Sequence, residues 1–247
     1  MFMKNIHGGD IYKYENVTDF SANINPMGIP ESVREAVVNS LEMCENYPQM
    51  FCDDLREKIG RRYSVDSSFI ICGNGASDVL YRYVFAIKPK NAVVAAPCFA
   101  EYEAALECVG AKVEYYQINH NTFEIEDDFM EMFEYKPDMI FLCNPNNPTG
   151  VLTTNQFIIK VLKKALITNT IIVIDESFLD FMETNNEYSS KGLLNYYDNL
   201  IVVKSLTKFF AIPGARIGYG LCKNNVLINE INKVTVPWSI NIIAADA

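Results

Sequence analysis

Hydrophobic positions along this chain follow two alternating rhythms. Residues 31 to 46 (ESVREAVVNSLEMCEN) place Val33, Val37, Val38 and Leu41 at helical spacing behind Pro30, a helix-start signal, and a second helix is predicted from about Asp53 to Tyr63. From there short β-branched runs at 69–72, 92–96, 112–118, 139–143, 171–174 and 200–204 alternate with helical stretches near 76–87, 99–109 and 154–168. Runs that are apolar throughout predict strands buried on both faces, and helices between them predict parallel crossovers. The fold class is therefore α/β: a doubly wound, mostly parallel sheet in a three-layer sandwich. No repeat or low-complexity linker interrupts the pattern, and Trp238 to Ala247 reads as a helix just beginning, without cap or stop signal.

Composition narrows the function classes. The 247 residues, 49% hydrophobic and 21% charged, are those of an ordinary globular protein, long enough for one large unit or a unit plus part of another. A balance of 21 basic to 31 acidic residues gives −10, which repels polyanions, so nucleic acid and anionic membrane are not expected partners. A small anion remains compatible, because placed arginines and helix N-termini overcome the mean field locally. The seven cysteines (Cys44, Cys52, Cys72, Cys98, Cys108, Cys143, Cys222) form no C-x-x-C pair and have only two histidines beside them, so reduced thiols and no metal site are expected. The N-terminal segment MFMKNIHGGDIYKYEN lacks a signal-peptide core, and no apolar run approaches the roughly 18 residues of a bilayer span. The expected location is the cytoplasm.

In open α/β sheets ligands bind beyond the carboxyl ends of the strands, and there the sequence is polar and specific. Cys72 is followed by GNGASD (73–78), Ala96 by PCFAEY (97–102), Cys143 by NPNNPTG (144–150), Ile174 by Asp175, and Lys204 by SLTKFFAIPGARIGYG (205–220). The amides of Gly75, Ala76 and Ser77 would open a helix as an anion site, although Asp78 stands where a dinucleotide fingerprint wants a third glycine. Asp175 at the end of an apolar strand needs a cation or several donors. Lys208, set among Phe209, Phe210 and Ile212, would lose proton affinity and become a usable nucleophile, and Arg216 offers a planar fork for phosphate. Lysine amine, buried carboxylate, phosphate cradle and aromatic face together are what pyridoxal 5′-phosphate requires.

S-x-x-K with an arginine eight residues on, preceded by D-E-x-F and N-P-N-N-P-T-G, resembles the large domain of the class I/II aminotransferases of PLP fold type I over essentially the whole chain. The resemblance implies that Lys208 is the Schiff-base lysine and proton shuttle, and that Asp175 pairs with the pyridinium nitrogen. It further implies that Asn147 bonds the ring O3′ and that Tyr102 stacks on the ring. Gly75, Ala76, Ser77, Ser205 and Arg216 would hold the phosphate, while Tyr47 resembles the tyrosine that reaches the cofactor phosphate of a neighbouring subunit, implying a homodimer with shared sites.

Two groups fit best: the threonine-phosphate decarboxylases of cobalamin biosynthesis and the histidinol-phosphate aminotransferases. HGGD (7–10), DFSANINPMGIP (19–30) and Phe178, where aminotransferases of this group carry tyrosine, look more like the decarboxylases. The expected substrate is thus a phosphorylated amino acid, with His7 and Asn23 as candidate contacts. The two reactions diverge in which Cα bond breaks, the one to carboxylate or the one to hydrogen. By the same resemblance residues 1–45 form an N-terminal arm and helix, 46–237 the cofactor-binding domain, and 238–247 the start of a helix leading to an absent small domain. A chain without that domain could bind cofactor with little or no turnover.

Overall fold

The computed structural model describes residues 7–183 and 187–247, so the first six residues of the expected arm lie outside it. Seven strands form one sheet: β1 (Ile70–Gly73), β2 (Asn91–Ala96), β3 (Lys112–Gln117), β4 (Met139–Cys143), β5 (Ile171–Asp175), β6 (Leu200–Ser205) and β7 (Gly218–Cys222), in spatial order β1-β7-β6-β5-β4-β2-β3. The pairs from β3 through β6 are parallel, whereas β7 runs antiparallel to both β6 and β1. The sheet is therefore mostly parallel, as expected, with one reversed strand inside it. β7 is short, glycine-containing and lacks a β-branched run (GYGLC), so it reads as part of the preceding loop.

Away from the largely exposed edge strand β3 both faces of the sheet are buried, and the period of two divides β4 between them. Ile140 and Leu142 belong to one apolar cluster with Ile158, Val161 and Leu162 of α5 (Asn155–Thr168). Met139, Phe141 and Cys143 belong to the other, with Val79, Leu80 and Tyr83 of α3 (Ala76–Ile87). Leu106 of α4 (Glu101–Cys108) and Ile231 of α7 (Asn225–Val234) complete that layer. Each large aliphatic side chain buried this way contributes about 1.5–3 kcal/mol, and β4 and β5 carry no polar residue before their ends.

Helix boundaries follow local chemistry. α1 (Glu31–Ser40) is shorter than the 31–46 pattern, its last stretch tightening into a 3-10 turn over Leu41–Glu45. α2 spans Asp53–Tyr63, and Thr154 caps α5 by accepting from the Phe157 amide. The expected uncapped helix at the C-terminal end is corrected: residues 238–241 are irregular, and α8 (Ile242–Asp246) starts at Asn241, whose side chain accepts from the Ala244 amide at 2.8 Å. A short turn of helix, α6 (Leu206–Phe209), follows β6 directly.

The topology gathers the strand ends. β1 is antiparallel to β7 and β7 to β6, so β1 ends on the same side of the sheet as β4, β5 and β6. Gly218, the first residue of β7, pairs with both Gly73 and Ser205 at that edge. A Cβ on it would collide with the Ala76 amide, so the N-terminus of α3 can settle against the sheet only because this residue is glycine.

Candidate active site

A cavity of about 330 Å³ lies over these strand ends. Asp175 closes β5 and is only 3% exposed. Its Oδ2 accepts from the Tyr102 hydroxyl at 2.8 Å and its Oδ1 from the Ser177 amide at 2.9 Å. Burial nevertheless raises its pKa above the ordinary carboxylate value, the Ser177 and Tyr102 hydrogen bonds and Lys208 opposing that shift only in part. A cationic group entering the cavity would meet a carboxylate already oriented and short of a full counter-charge.

Lys208 lies on α6, one turn past the end of β6. Burial, and then the Arg216 cation, lower its pKa, against the pull of Asp175. Its amine is thus neutral at lower pH than an ordinary lysine, the state a nucleophile needs. Ser205 and Thr207 share a hydrogen bond of 2.7 Å at the same strand end.

The N-cap of α3 is Gly75, whose φ of +91° is left-handed space that other residues enter only with strain. A Cβ there would strike the Arg216 guanidinium, so the bare backbone is what lets the arginine lie over the helix N-terminus. Arg216 donates to the Pro213 carbonyl at 3.1 Å and has no acidic partner among the described residues. Amides at the end of a 12-residue helix facing an unneutralised guanidinium form an anion site. Asp78 holds this turn, accepting from the Asn74 amide at 2.7 Å and pairing with buried Arg82. That structural duty explains why a carboxylate replaces the third glycine of a dinucleotide motif.

The cavity brings together His7, Asn23, Ala76, Ser77, Tyr102, Asn147, Asp175, Ser205, Lys208 and Arg216. Tyr47 is not among them: it is 82% exposed and its ring sits 5.2 Å from Trp238. Tyr102 reaches the cavity differently from the expectation. It is fully buried, its ring stacks on Phe141 at 5.1 Å and 12°, and Phe99 meets it edge-on at 5.7 Å. The half-buried ring that lines the cavity beside it is Phe99, the first aromatic of the PCFAEY motif.

The sequence reading also missed Thr207, Ser177 and Asn25. Asn25 clamps the lysine turn: its amide donates to the Lys208 carbonyl at 3.1 Å and its side chain to the Phe209 carbonyl at 2.8 Å. Its place inside DFSANINP was visible, but its partner lies 184 residues away along the chain. Among the described residues no group of three or more His, Cys, Asp or Glu side chains is arranged to hold a metal ion, and no helix is long and apolar enough to cross a membrane.

The family model described as aminotransferase class I and II matches residues 15–247. Threonine-phosphate decarboxylase of Salmonella typhimurium is 33% identical over 97% of this chain and 68% of its own length. The crystal structure of histidinol-phosphate aminotransferase from Clostridium acetobutylicum superposes with a TM-score of 0.85 at 31% identity, covering 93% of this chain and 67% of that one. That of L-threonine-O-3-phosphate decarboxylase from Porphyromonas gingivalis gives 0.80 at 28%, covering 92% and 66%. The chain thus spans about two thirds of the length of the relatives it matches.

Proposed function

Because the chain belongs to the aminotransferase class I and II family, whose cofactor is pyridoxal 5′-phosphate, we propose that it binds this cofactor through Lys208 and acts on a phosphorylated amino acid, decarboxylating it. The observation that carries the cofactor assignment is the convergence, on one cavity, of a desolvated lysine, a buried carboxylate short of counter-charge and an arginine with no acidic partner among the described residues. Pyridoxal 5′-phosphate supplies an aldehyde that captures amines and a ring that accepts the electron pair released at a substrate's Cα.

The residues present fit that group. The Ala76 and Ser77 amides, with Ser205 and Arg216, would hold its phosphate, and Thr207 joins them through its hydrogen bond to Ser205. Asp175 would keep a proton on the pyridine nitrogen, and Tyr102 fixes that carboxylate from behind. Phe99 would offer the ring face, because it is half-buried at the cavity wall whereas Tyr102 is fully buried and stacked on Phe141. Asn147 would donate to O3′ without a phenol beside it, since Phe178 lines the cavity with no hydroxyl. The Lys208 amine is the group able to move a proton at the substrate's Cα.

The substrate reading rests on kinship with the decarboxylases and on His7 and Asn23, which the N-terminal arm brings to the cavity wall. We assign residues 46–237 as the cofactor unit and residues 7–45 as the arm and helix that wall it. The exposed Tyr47 supports a site completed by a second copy of the chain. The experiment is to incubate the chain and pyridoxal 5′-phosphate with O-phosphothreonine and measure CO₂ release against keto-acid-dependent amino transfer. CO₂ without transfer is expected; transfer without CO₂ assigns the aminotransferase reaction instead, and cofactor binding without either identifies a binding protein.

A further inference from the structure

We propose that Glu101 is a positioning residue that anchors His7 by its Nε2, leaving the Nδ1 lone pair to accept the proton of a singly protonated phosphate on the substrate. Glu101 is the first residue of α4 and only 9% exposed. A carboxylate so placed needs donors, and it has two from different parts of the fold. His7 Nε2 lies 2.6 Å from Oε1, and the Tyr81 hydroxyl of α3 donates to Oε2 at 2.9 Å. Burial and the neighbouring carboxylate push the Tyr81 pKa up, so the phenol keeps the proton it donates.

An ionised carboxylate can only accept, so its contact puts the imidazole proton on Nε2. Nδ1 then carries a lone pair with no protein partner among the described residues, and His7 lines the cavity, so the group that meets it is a donor such as a phosphate P–OH. The same carboxylate-to-imidazole logic fixes tautomer and ring direction wherever a histidine must present one chosen nitrogen. The arm is shaped to deliver the ring here. The Gly9 amide donates to Ser21 Oγ at 2.8 Å, and a Cβ on Gly8 would collide with the Ser21 carbonyl, so a glycine at position 8 is required for this fold-back. Phe99 flanks the ring, with centroids 6.1 Å apart and planes tilted by 54°.

What Nδ1 meets rests on the proposed substrate; the Glu101–His7 contact does not. The chain has two histidines, and exposed His120 serves as internal standard. In the cofactor-loaded chain labelled with ¹⁵N-histidine, His7 should show a proton on Nε2 that exchanges with water at least about tenfold more slowly than that of His120. Glu101→Ala should abolish the difference, Glu101→Gln should retain part of it, and the yield of borohydride-fixed cofactor should stay unchanged in both. No slowed Nε2 proton in the wild type, or one that persists in Glu101→Ala, overturns the proposal. Inorganic phosphate should then shift His7 Nδ1 and not His120. Absence of that shift while the exchange contrast holds overturns the substrate half alone. In turnover, Glu101→Ala should raise KM about tenfold with kcat within about twofold; a fall in kcat at constant KM contradicts a positioning role.

Discussion

The sheet end and the N-terminal arm contribute to one cavity on different physical terms. At the sheet end, Asp175, Ser205 and Thr207 are each no more than 5% exposed, and each is held by a strand or by the turn after it. The arm leaves Tyr12 94%, Phe20 90% and Met27 88% exposed, and is tied to the site by a few hydrogen bonds such as those of Asn25 and His7. Groups on a packed sheet are preorganised and lose little entropy when a ligand arrives, whereas groups on a thinly packed arm do. The cofactor half of the site is therefore built in, and the substrate half depends on how well the arm stays in place.

Substitutions should divide along that line. Lys208→Ala carries the largest effect: loss of the borohydride-fixed cofactor and a fall in kcat on the order of 10⁴ or more, measured by single-turnover assay. Asp175→Asn should lower kcat/KM by about 10²–10³ while leaving cofactor-free stability equal or higher. The sign follows from the raised pKa of Asp175: the folded state binds more protons than the unfolded one. Its penalty is absent below the ordinary value of 3.8 and grows as pH rises to the folded value. Thermal melts of the cofactor-free proteins across that window should show the wild type losing stability relative to Asp175→Asn as pH increases.

Arg216→Gln should weaken cofactor affinity by about 10–100-fold, the loss of a charge-assisted phosphate contact. It should also move cofactor capture to higher pH, because a cation that lowers the Lys208 pKa is gone. On the arm, Asn25→Ala should cost about 1 kcal/mol and mainly raise KM for substrate, read from melts and initial rates. If Asn25→Ala instead matched Arg216→Gln in cofactor affinity, the division between the two regions would fail.

The same division explains what the sequence made legible. Strands buried on both faces announce themselves as apolar runs, and the polar residues that end them, Asp175 and Ser205, mark the site, although Lys204 interrupts β6 one residue earlier to pair with Asp180. β7 stayed hidden because glycines replace β-branched residues where α3 packs closely. Tyr102 is turned inward onto Phe141 by its helix, a direction that spacing from the strand end does not reveal. The contacts of Asn25 and Glu101 join segments 184 and 94 residues apart, and no local pattern encodes such partners.

The most direct test is to load the chain with pyridoxal 5′-phosphate, reduce it with borohydride and locate the label by peptide mass spectrometry. A single modified lysine, Lys208, is expected, with Lys204 unlabelled because it is 2% exposed and bound to Asp180 at 2.8 Å. Label on another lysine, or an undiminished adduct in Lys208→Ala, would contradict it.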